Sequence, residues 1–81
     1  MKVVVIDGQS GRMGQLLIER MRAASLPCEI LAVGTNSLAT AAMLKAGASA
    51  GATGENAVLV ACRTADIIAG PIGILSADSL M

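Results

Sequence analysis

The residues whose types and spacing could do chemistry lie near the start of the chain, in Asp7-Gly8-Gln9-Ser10-Gly11-Arg12-Met13-Gly14. Gly8, Gly11 and Gly14 recur at every third position. Glycines let backbone N–H groups reach phosphate oxygens without Cβ clashes. A helix opening at this point adds unpaired donors and a partial positive charge. Arg12 either pairs bidentately with a phosphate or lies solvated in the first turn. Ser10 either donates its hydroxyl to a ligand or caps the helix. Asp7 repels an anion placed beside it. It either holds the loop by accepting N–H bonds or binds a metal carried by a nucleotide. The whole expectation depends on amides at the helix opening that the protein itself leaves unoccupied.

Outside this loop little catalytic chemistry is legible. The chain has no His and no aromatic residue. Acid–base work would fall to carboxylates, Lys45 or the thiols, and no nucleophile, base and orienting group can be assembled. Cys28 and Cys62 stand far apart in apolar settings. They lack the ligand spacing of a zinc site and read as small buried hydrophobes. Formal net charge is zero, with the basic residues scattered. Without a basic stripe or stacking aromatics, nucleic acid is not an expected partner. No apolar run reaches the ~18 residues of a membrane span, and no signal peptide is visible. The expected location is the cytoplasm.

The elements that must position the loop follow from hydrophobic periodicity. Eighty-one residues allow one domain at most. Lys2 to Ile6, apolar on both faces and stopped by Asp7-Gly8, reads as a buried parallel strand. A helix follows, with Met13, Leu16, Leu17, Met21 and Ala24 expected on its inner face, and Pro27 forbids its continuation. Cys28 to Val33 is a second strand. Asn36 or Ser37 then caps a helix from Leu38 to Ala46, and Gly47 suits a left-handed C′ position. Ala48 to Thr53 is a short strand or a loop. Glu55 to Ala65 reads as a helix capped by Thr53. Asp66 to Ala69 is a third clear strand, and a further helix is expected from Ile72. The apolar end, Ile74 to Met81, points to truncation or to a surface covered by a partner, such as a second copy. The fold expected is α/β, a Rossmann-like parallel sheet of three to four strands with flanking helices.

In such sheets ligands sit outside the carboxyl ends of the strands, at the switch in strand order. The three clear strands end at Asp7-Gly8, Gly34-Thr35 and Gly70-Pro71. An NAD-binding unit usually ends its second strand in Asp or Glu, to grip the ribose. Here Gly34, Thr35, Asn36 and Ser37 stand in that place. They tolerate a ribose 2′-phosphate, favouring NADP over NAD or a ligand that is not a dinucleotide; they equally make an ordinary N-cap. Gly54-Glu55-Asn56 and Gly70-Pro71-Ile72-Gly73 are further contacts at this edge, or turn chemistry.

Long motifs resemble one family. These are Val5-Ile6-Asp7-Gly8-Gln9, Gly34-Thr35-Asn36-Ser37-Leu38-Ala39-Thr40, Met43-Leu44-Lys45-Ala46-Gly47-Ala48, Gly51-Ala52-Thr53-Gly54-Glu55-Asn56-Ala57 and Gly70-Pro71-Ile72-Gly73. In order, and over nearly the whole chain, they resemble the bacterial family termed domain of unknown function 3842. The resemblance implies a Rossmann-like fold and no particular reaction; members usually continue through a further helix and strand. Gly8-x-x-Gly11-Arg12-Met13-Gly14 alone is similar to the nucleotide loop of dihydrodipicolinate reductases. That likeness implies cofactor contacts at Gly8, Gly11, Arg12, Met13 and Gly14, without the reductases' substrate domain. The leading functional expectation is a module for a small phosphorylated ligand. The alternatives are the cofactor-binding fragment of an NAD(P)-dependent reductase and a ligand-free structural or oligomer-forming module.

Overall fold

A computed structural model describes residues 1–70 and, as backbone, residues 73–76. The elements run β1 (Lys2–Asp7), α1 (Arg12–Ala23), β2 (Glu29–Gly34), α2 (Ser37–Lys45), β3 (Ala50–Thr53), α3 (Glu55–Cys62), β4 (Ile67–Gly70) and β5 (Gly73–Ser76). They build one sheet in the order β3-β2-β1-β4-β5, with β1 at its centre. β1 pairs with β2 from Lys2↔Glu29 to Asp7↔Gly34 and with β4 from Val3↔Ile67 to Val5↔Ala69, both parallel. β3 continues the parallel set beside β2.

The side-chain period of two along a strand divides the core into two layers. Val3, Val5, Ile30 and Ala32 pack with Ile18 of α1 and Met43 of α2 on one face. Val4, Val33 and Ile68 pack with Ala61 of α3 and with Ala65 on the other. Each layer has one half-buried thiol at its margin, Cys28 and Cys62 respectively, both free. Neither cysteine is fully buried as the apolar reading expected.

Several boundaries depart from the sequence reading. Met13 and Leu16 are 55% and 45% exposed, while the fully inward positions of α1 are Gly14 and Ile18. The helix is rotated because α2 lies close against its first turn. A Cβ at Gly14 would lie 2.5 Å from the Met43 Sδ, so any larger residue at this inward position would have to displace the buried Met43 side chain. Gly54 (φ 111°), not Thr53, caps α3. The Thr53 hydroxyl is instead 2.8 Å from that of Thr40. The segment Ala48 to Thr53 resolves as a strand after a short lead-in. The helix expected from Ile72 is corrected over 73–76, which pair antiparallel with β4 from Gly70↔Gly73 to Ile67↔Ser76. Pairing on the open edge of β4 satisfies the backbone groups that face across it, and this outweighs a faint helical periodicity. Ile72 and the apolar end at 77–81, with the self-association expected of it, lie outside the described residues.

Candidate functional site

β1 runs into its loop through Asp7, which is 2% exposed. Its carboxylate accepts the backbone N–H groups of Gln9 at 2.9 Å, Gly11 at 3.2 Å and Gly14 at 3.0 Å. Burial works to raise this carboxyl group's pKa, but the amide bonds from Gln9, Gly14 and Gly11 together hold it below the ordinary value. The negative end expected of a ligand is thus supplied by the chain itself. Of the two roles open to Asp7, the structure shows that of loop holder. This corrects the expectation of an unoccupied cradle, since inner donors of the α1 opening already face an anion. Any ligand must approach from the outer rim.

The three glycines of the loop differ in what the fold asks of them. Gly11 has φ +84°, and a Cβ there would lie 2.7 Å from the Ala39 carbonyl oxygen. Gly11 and Gly14 let α1, α2 and β1 meet. Gly8 has neither constraint: its φ is outside the left-handed region, and a Cβ would meet only Thr35, with Oγ1 at 3.6 Å. Around it Gln9, Ser10, Arg12 and Met13 are exposed. Ser10 Oγ accepts a long 3.4 Å bond from the Arg12 amide, a weak closing of the first turn.

The second loop is tied to the first. Thr35 N–H donates to the Asp7 carbonyl oxygen at 3.2 Å. Asn36 caps α2 by accepting from Ala39 N–H at 2.9 Å, and its Nδ2 donates to the Gln9 carbonyl oxygen at 2.8 Å. Asn36 is therefore committed to structure, leaving the exposed Thr35 and Ser37 as the polar groups at the end of β2. Gly34 is buried under α2, where a Cβ would lie 2.5 Å from the Thr40 Oγ1. Thr40 went unnoticed in the sequence. Its hydroxyl bonds the Asn36 and Ala52 carbonyl oxygens, each at 3.2 Å, and joins α2 to β3. Nothing in helical periodicity marks a threonine for that work. Gly70 closes β4 where a Cβ would lie 2.9 Å from the Ile6 carbonyl oxygen; Pro71 lies outside the described residues. Gly54 belongs to the α3 cap, and Glu55 and Asn56 are exposed in the first turn.

The order of the parallel strands reverses at the centre of the sheet, between β1 and β4. From β1 the chain builds outward through β2 and β3, then returns to place β4 on the other side of β1. Four parallel strands in this order, with α1 and α2 on one face and α3 on the other, define a Rossmann-like α/β domain. Its family follows from the match of residues 2–81. The chain belongs to the family described as Domain of unknown function (DUF3842). No curated protein and no solved structure matches the chain. Among the described residues, no helix is long and apolar enough to cross a membrane, and no three metal-ligating side chains converge.

Proposed function

We propose that, with the inner amides of the α1 opening taken by Asp7, the domain binds a nucleotide or a related phosphorylated small molecule not in that amide cradle but on the outer rim of the loop, beyond the ends of β1 and β4. The observation that supports this reading is Gly8. It is an exposed glycine beyond the carboxyl end of the central strand, required neither by its backbone angle nor by a neighbouring atom. The switch between β1 and β4 is where open parallel sheets receive ligands. The phosphate rests on the outer rim of the loop, with the Arg12 guanidinium as its cationic partner and the Ser10 and Thr35 hydroxyls as donors. Among dinucleotides, an end of β2 without a carboxylate favours NADP over NAD. The same reading assigns Gln9, Met13, Ser37 and Gly70 to the surroundings of the ligand.

Calorimetric titration with NADPH, NADH, ATP and AMP tests the reading. At least one ligand is expected to bind, and Gly8→Val to weaken it about tenfold or more, roughly 1.4 kcal/mol, with the thermal melt of the free protein unchanged. Absence of heat from all four overturns the proposal.

A further inference from the structure

We infer that β3 pairs antiparallel with β3 of a second copy of this chain across a two-fold axis. β3 is the end strand of the sheet. Ile30 N–H donates to Ser49 Oγ, and Gly34 O accepts from Gly54 N–H at 2.9 Å. Even-numbered backbone groups of β2 therefore face β3, and those of β3 face β2. Alternation turns the N–H and C=O groups of Gly51 and Thr53 away from the sheet. Ala50–Thr53 has no proline and no charged residue, the usual guards of a strand edge.

A two-fold axis at Ala52 sets Gly51 opposite Thr53 of the other copy and pairs all the outward groups of both strands. Such a contact is isologous, so every feature must complement itself. The charges do. The Arg22 guanidinium donates to the carbonyl oxygens of Gly47 and Cys28 and to Ser49 Oγ, all neutral acceptors. With exposed Lys45 it makes the entry to β3 positive; exposed Glu55 stands just beyond the exit. In this register the exit of one strand, with Glu55, lies next to the entry of the other, with Lys45 and Arg22. Leu44 is 43% exposed and overhangs Gly51, where a Cβ would lie 3.0 Å from its Cδ1. The axis puts the two leucines on the same face of the joined sheet. Four strand residues make a small interface, so association depends on concentration.

Sedimentation equilibrium from about 10 μM to about 1 mM spans the affinities of small interfaces. The weight-average mass is expected to rise from 8.1 kDa towards twice that value. Glu55→Lys, at an exposed position, weakens association tenfold or more. Thr53→Pro, which removes an outward N–H, abolishes it, with circular dichroism confirming the fold. A mass of 8.1 kDa throughout, or a dimer indifferent to Glu55→Lys, overturns the inference. Both readouts are made without ligand, so they stand apart from the nucleotide reading.

Discussion

Asp7 behaves as the loop's own anion. The amides of Gln9, Gly11 and Gly14 converge on a carboxylate tethered to the strand beneath them. Removing it leaves amides without a partner at a buried point. Asp7→Ala is expected to cost about 3 kcal/mol in urea unfolding, the scale for losing bonds to a charged group. The carboxyl group titrates below its ordinary value of 3.8 when folded, so the unfolded chain takes up the proton first. The stability it contributes is complete above that ordinary value and drains away as pH falls through the folded one. A urea midpoint that drops steeply on acidification below about pH 4, and less steeply in Asp7→Asn, is the expected result; parallel profiles would refute it. The sequence showed the conflict between a carboxylate and a phosphate loop. It did not show the resolution, because only the folded turn reveals where the amides point.

At the scale of elements, local signals were legible and distant ones were not. Asn36 at the start of α2 and Gly47 (φ +119°) after its end were readable because a cap depends on neighbours in the chain. The alternation of strands and helices was readable for the same reason. Arg22 is a residue whose role no local pattern announces. Its guanidinium joins the end of α1 to the start of β2 and to the α2–β3 connection. No periodicity encodes partners at 28, 47 and 49. Arg22→Ala is expected to cost about 2 kcal/mol and to speed hydrogen exchange at the Ile30 amide, which donates to Ser49. Unchanged exchange at Ile30 would assign Arg22 to the solvated surface. On the inner face of α1, Leu17 and Met21 do pack against the core, but Met13, Leu16 and Ala24 were misjudged, because long apolar side chains outweigh a glycine in any periodicity while α2 packs closely over Gly14. The β5 segment was misread because an antiparallel return depends on β4, not on its own residues.

For the molecule as a whole, the sheet carries two thin aliphatic layers, and neither contains a ring. A domain of 81 residues has roughly 4–12 kcal/mol of stability. Met43 is fully buried where α1, α2 and the sheet meet. Met43→Ala is expected to cost about 2–5 kcal/mol, a large share of that total, and to lower the urea midpoint accordingly. A loss under about 1 kcal/mol would mean that the layer closes over the void.

The sheet also leaves one sulfhydryl beside each layer, Cys28 with the α1–α2 side and Cys62 with the α3 side. A thiol reacts only as thiolate and only when reagent reaches it. The alkylation rates of the two cysteines therefore act as separate clocks for the breathing of each half. Clocks that quicken together in mild denaturant would mean that the halves open as one cooperative unit, and clocks that part would date which half yields first.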